Sequence, residues 1–164
     1  MEYQAPTIEQ QPGLADELNA YTRYVQASVG QRFLNYLIDN LFMRFGLSYV
    51  TGTALGYLLG TLSPDYASKI IYDKTSFDVL LLAYMLGILN YLTYYTFCEK
   101  VFKGYTLGKL ITGTRAVGED GNELKFKQAF LRSLARLVPF EPLSAFAQRP
   151  WHDSWTKTTV VKAR

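Results

Sequence analysis

Arg32 and Asp39 stand seven residues apart in an otherwise apolar stretch, so a helix brings them to nearly one face, two turns apart. Asn35 and Tyr36 lie between them on that face and give the helix a polar stripe. Two turns is about 10 Å, too far for direct contact along one helix, so each charge needs a partner from elsewhere. Charges at membrane depth are costly, face protein or water, and find partners. The C-terminal third offers Arg132, Arg136, Glu141 and Asp153. Two chemistries fit this constellation. One is an ion or proton site, with Asp39 as the carboxylate and Arg32 as its electrostatic regulator. The other is an ion-pair network that locks the C-terminal part of the chain onto the helix.

Other chemistry finds little footing. The one cysteine, Cys98, cannot form an internal disulfide or a structural zinc site, and the one histidine, His152, argues against a His-based metal site. Gly104 and Gly108-Lys109 lack Walker spacing, and Ser144 lacks the context of a nucleophile elbow. His152-Asp153 has the residue types of a proton relay, but beside Trp151 near an interface it reads first as structural. No hydrolase, redox or metal motif is present, so the expectation is a protein that is not an enzyme and uses no cofactor.

The elements that must hold these charges follow from the apolar pattern. The chain has 164 residues, 49% of them hydrophobic, 15% aromatic and 19% charged, which suits one domain and excludes disorder for most of its length. Residues 1–27 form a polar tail without the basic start and apolar core of a secretory signal. Residues 45–64 and 79–98 are two runs of twenty without a charge. A bilayer core of about 30 Å needs about 20 helical residues. The second run predicts a spanning helix over about 77–98, with Thr75-Ser-Phe-Asp78 as a capping box and Tyr91, Tyr94, Tyr95 and Phe97 as interfacial aromatics.

The first apolar region, about 30–62, is longer than a bilayer requires and contains Arg32, Asp39 and Arg44. It reads as one long or bent helix, or as two helices broken near Phe45-Gly46. Gly52, Gly56 and Gly60 make a ridge at four-residue spacing that lets another helix approach, either the second span or a second copy. Asn90, in the middle of the second span, reads as an interhelical hydrogen-bonding residue.

Of the 17 Lys and Arg, twelve follow Cys98, which places the C-terminal segment in the cytoplasm and residues 63–76 outside. Two spans put the N-terminus in the cytoplasm as well. This basic excess suits topology and anionic lipid better than nucleic acid. The remaining residues, 99–162, predict an interfacial cap. Residues 109–117 and 123–126 read as two strands around an Asp120-Gly121 turn, residues 156–162 as a third. Residues 126–138 read as an amphipathic surface helix, with Phe126, Phe130, Leu134 and Leu137 against Lys127, Arg132 and Arg136.

Four blocks carry a resemblance: residues 30–39 (GQRFLNYLID), 106–117 (TLGKLITGTRAV), 128–136 (QAFLRSLAR) and 151–161 (WHDSWTKTTVV). In this order they resemble the RDD family, over residues 28–162. The family comprises small, mostly bacterial, multi-pass membrane proteins, some implicated in cation–proton antiport. The resemblance makes Arg32, Asp39 and Asp153 the signature residues. It implies about three hydrophobic segments, whereas Arg132, Arg136, Pro139 and Glu141 interrupt the third one here.

The expected fold is therefore an α-helical integral membrane protein with two main transmembrane helices, an interfacial amphipathic helix and a small cytoplasmic β element. Two spans cannot enclose a pathway, so transport requires self-assembly. The expected function is a small oligomeric ion or solute transporter of the bacterial inner membrane, partnered by lipid and by its own copies. The alternative is an accessory subunit of a larger membrane complex.

Overall fold

The computed structural model describes residues 25–144 and 150–163, so the expected polar tail lies outside the described residues except for its last three. Helix α1 (Val29–Leu41) starts from a capping box: the Ser28 hydroxyl accepts from the Gln31 N–H at 3.2 Å, and the Gln31 side chain accepts from the Ser28 N–H at 3.1 Å. The chain does not break at Phe45-Gly46. It passes through a π-helical segment (Phe42–Leu47) into α2 (Ser48–Leu62), with right-handed helical backbone at both joints. A single π segment inserts residues without ending the helix, so the region is one rod rather than a hairpin.

A short helix, α3 (Pro64–Tyr72), fills the expected loop, with Pro64 in its first turn. Then α4 (Phe77–Val101) runs for 25 residues. The capping box expected at its start is not made. Ser76 is the N-cap without a side-chain cap bond, its hydroxyl donates to the Asp73 carbonyl, and Asp78 pairs with Lys69 at 2.7 Å. Among the described residues, α4 is the one helix long and apolar enough to cross a membrane.

The cap follows as α5 (Leu107–Thr112), β1 (Thr114–Gly118), α6 (Phe126–Ala135), α7 (Glu141–Ser144), α8 (Trp151–Thr156) and β2 (Thr158–Lys162). Its sheet differs from the expected hairpin. β1 pairs antiparallel with β2, Thr114 opposite Lys162 and Gly118 opposite Thr158. The Asp120-Gly121 turn forms, with Gly121 at φ +76°, but residues 122–125 leave it without becoming a strand. The other edge of β1 is already engaged: the Ala116 N–H donates to the Gly104 carbonyl at 2.9 Å. A Cβ at Gly104 would land on the Ala116 carbonyl, and its φ of +94° suits glycine alone. The far edge of β2 takes residues 25–27, where the Ala27 N–H donates to Val160 at 2.9 Å and Gln26 bridges Val161. Residues 109–112, expected as strand, are helical.

The packing is inverted relative to a water-soluble domain. Glu99, Arg132 and Asp153 are wholly buried, and Asp39 and Lys109 nearly so. Large apolar side chains cover the outside, among them Phe45 at 70% and Tyr57 at 78% exposed. On α6 and just past its end the apolar residues Phe126, Phe130, Leu134 and Leu137 are exposed, as is Lys127, whereas Arg132, expected on the basic outer face, points inward with Ser133. A surface of this kind is stable in lipid, where apolar groups need no burial and charges must be satisfied internally.

Candidate functional site

Asp39 sits on the inner face of α1 and is 1% exposed. Three donors hold it, and all are neutral. The Tyr94 hydroxyl from α4 and the Gly108 N–H each donate to Oδ1 at 2.8 Å, and the Thr106 hydroxyl donates to Oδ2 at 2.7 Å. The approach of α5 depends on Gly108, because a Cβ there would overlap the backbone of Asn35. The Asn35 side chain lies between the hydroxyls of Thr112 and Thr114 and ties the far end of α5 to the same helix. Thus the 106–114 block is a loop and a single short helix laid across α1. Among the described residues no lysine or arginine pairs with Asp39, so Arg32, Arg132 and Arg136 are not its partners. Arg32, two turns away on α1, pairs with Asp153 instead, and the other two arginines are engaged with Glu99 and Asp153.

The ion pairs form a chain beside it. Arg32 Nη1 meets Asp153 Oδ2 at 2.5 Å, and Arg132 Nη1 meets Asp153 Oδ1 at 2.5 Å. Arg132 Nε continues to Glu99 Oε2 at 2.9 Å. Glu99 Oε1 is shared by Lys109 Nζ at 2.6 Å and Arg136 Nη2 at 2.8 Å. One carboxylate at the end of α4 therefore gathers three cations, from α5 and α6. The Arg136 guanidinium also lies over the Tyr95 ring, 4.3 Å from its centre. Glu141 contacts His152 Nδ1, and His152 Nε2 lies 3.4 Å from Asp153.

Electrostatics separate these groups. Burial alone would raise the Asp153 carboxyl, but Arg132, His152 and Arg32 outweigh it and hold it well below the usual range. Asp153 stays ionised. Burial likewise opposes the charged Glu141, yet its contact with His152 keeps it below the usual value. Burial and the charge of Arg136 push His152 down, so it is neutral near pH 7. Burial pushes Lys109 down to about 8 against the pull of Glu99.

A cavity of about 160 Å³ opens into this polar interior, and Asp39, Lys109, Arg136, Glu141 and His152 line it together with Arg32. Among the described residues no cluster of three or more His, Cys, Asp and Glu is placed to hold a metal ion. Of the residues singled out by sequence, Arg32, Asp39, Arg136 and Glu141 meet at this cavity, while Arg132 and Asp153 form the wall of paired charges behind it. Gly52, Gly56 and Gly60 lie apart on α2, where a Cβ at any of them would meet nothing within 4 Å. Among the described residues that ridge does not pack against α4. Asn90 donates to the Thr51 hydroxyl at 2.8 Å and joins α4 to α2.

Glu99 and Lys109 escape a sequence reading. Glu99 follows the last residue of an apolar run and looks like its solvent boundary, and Lys109 looks like one of many cytoplasmic lysines. A signal existed in the Gly108-Lys109 pair, since a helix close enough to need glycine buries the residue beside it.

Among family models, that of the RDD family matches, over residues 26–158. Neither the search of curated proteins nor that of solved structures found a match.

Proposed function

The chain belongs to the RDD family, a membrane family, and from that premise we propose a small multi-pass protein of the bacterial cytoplasmic membrane that assembles with its own copies and exchanges monovalent cations for protons. The observation that carries this reading is Asp39: a buried carboxylate lining a cavity, held by hydroxyls and one N–H with no cationic partner among the described residues. A carboxylate neutralised by arginine has no charge to offer an ion. One held only by neutral donors has no cation of the protein in the way of an incoming ion.

In this reading the rod of α1, the π segment and α2 crosses the membrane beside α4, and both chain termini face the cytoplasm. The twelve basic residues after Cys98 support that orientation. The apolar exterior of α6 seats the cap in the inner interface. Two spans enclose no pathway, so the route is completed by further copies, for which the glycine face of α2 is free.

A second reading has its own observation. Glu99 and Asp153 are so fully paired that the cap acts as a clamp, which is what a non-catalytic subunit of a larger complex requires. Native mass determination separates the two: a homo-oligomer fits transport, and a stoichiometric foreign chain fits the accessory role. The direct test of function uses proteoliposomes carrying an imposed pH gradient. Addition of sodium or potassium should dissipate the gradient in vesicles with the protein. A correctly assembled protein that dissipates it with no monovalent cation would contradict exchange.

A further inference from the structure

Four cations surround the cavity wall, and three of them are guanidiniums that do not release protons in proteins. The fourth is Lys109, whose ammonium is 3% exposed, lines the cavity and touches Glu99 at 2.6 Å. We propose that Lys109 is the proton-binding group of this cavity, and that its deprotonation leaves the cavity one negative charge in excess, which a single monovalent cation then balances. The assignment rests on the exchange reading above and names its proton site.

The geometry makes proton loss at Lys109 cheap. Glu99 Oε1 keeps Arg136 at 2.8 Å and Oε2 keeps Arg132 at 2.9 Å, so no carboxylate is orphaned when the ammonium becomes an amine. An N–H bond of the ammonium breaks, the electron pair stays on Nζ, and the proton passes to water in the cavity. Uptake reverses the step.

Every neighbouring element contributes to the balance. From α1, Asp39 and Arg32 line the same cavity. From α4, Glu99 pairs with Lys109, while Tyr95 lines the cavity and Cys98 lies within electrostatic reach. Burial, joined by repulsion from Arg132 on α6 and Arg136 just past its end, brings the ammonium down to about 8 against the pull of Glu99. From the cap, Glu141 and His152 face the cavity, with His152 neutral near pH 7. Arg32, Lys109, Arg132 and Arg136 then balance Asp39, Glu99, Glu141 and Asp153. Removal of one proton tips this group negative, and Asp39, without a cationic partner among the described residues, is where the excess is felt.

Two measurements on the full chain test the proposal. The first follows the lysine side-chain nitrogen by ¹⁵N NMR in nanodiscs, Lys109 being the resonance lost on substitution. It should titrate near pH 8, and a Lys109 that stays charged to pH 10 would overturn the proposal whether or not flux is seen. The second compares cation-driven proton flux in proteoliposomes for the native protein, Lys109→Arg and Lys109→Met. Native flux should change about tenfold per pH unit below the inflection, and both variants should lose that dependence. Lys109→Arg preserves the pair with Glu99, so its unfolding temperature should stay near native while its proton flux disappears. An unchanged pH profile in Lys109→Arg would overturn the proton site. Titration near pH 8 in a protein without flux would support the proton site and sink the exchange reading alone.

Discussion

The two halves of the first helical rod meet opposite surroundings. α1 buries Asn35 and Asp39, and α5 lies so close across it that only glycine fits at position 108. α2 buries no residue at all, and its three ridge glycines face open space. One half is fixed by hydrogen bonds within the chain. The other has an apolar surface that lipid or a second copy must cover. The cap end is therefore specified by the chain itself, while the α2 end is specified by whatever surrounds it.

The largest expected effect breaks the cap end. Asp153→Asn leaves Arg32 and Arg132 without their shared carboxylate, and removing one member of a buried ion pair costs roughly 3–5 kcal/mol. Thermal or denaturant unfolding in detergent should show a severely destabilised protein. A native unfolding curve would mean the ion-pair chain does not hold the cap.

Gly108→Ala strikes the same end through the backbone. The added methyl would overlap Asn35, so α5 must back away and Asp39 loses an N–H donor. A loss of about 2 kcal/mol is expected, with Asp39 left partly unsatisfied. An alanine variant as stable as the native protein would show that the close approach is dispensable.

Acid should also act on the cap end. Folding lowers His152 from its ordinary 6.5, so the folded state resists protonation and the unfolded state does not. Stability is then full above 6.5 and is lost as pH falls below it, with a further loss below 3.8 as Asp153 is forced to take a proton. His152→Gln should remove the first decline and leave the second. An unchanged first decline would assign it to another group.

The smallest effect is expected on α2. At Gly56 an added Cβ meets nothing within 4 Å among the described residues, so Gly56→Leu should change unfolding by no more than about 0.5 kcal/mol. Its effect should appear in oligomer mass, because a large side chain keeps helices of two copies apart. A strongly destabilised but normally assembled variant would place α2 against its own chain instead.

How far the sequence could be read follows the same division. Apolar runs announced the rod and α4, because spanning length needs only uninterrupted hydrophobicity. The seven-residue spacing of Arg32 and Asp39 announced charges that must find partners. It could not say that Arg32 would reach Asp153 across 121 positions while Asp39 would turn to Tyr94, Thr106 and Gly108. The π segment left no mark in the apolar pattern, since Phe42, Met43 and Phe45 suit any helix. Sequence proximity pairs β1 with residues 123–126, whereas Gly104 occupies that edge and the partner strand is β2, forty residues further on. Amphipathicity shows the two faces of α6, but it does not show that Arg132 turns inward to Glu99 and Asp153 while Lys127 stays exposed, because those partners come from distant parts of the chain.

If Asp39 is a working carboxylate rather than half of an ion pair, Asp39→Asn should separate function from fold. Asparagine has the same shape: its oxygen can accept from Tyr94 and Gly108, and its amide can donate to the Thr106 hydroxyl. Stability should fall by about 1 kcal/mol at most, far less than for Asp153→Asn. The measurement is cation-driven proton flux in proteoliposomes containing Asp39→Asn, with unfolding temperature and oligomer mass recorded on the same preparation. A folded, assembled protein whose flux has vanished is expected, whereas flux at the native level from that protein would rule out a working role for Asp39.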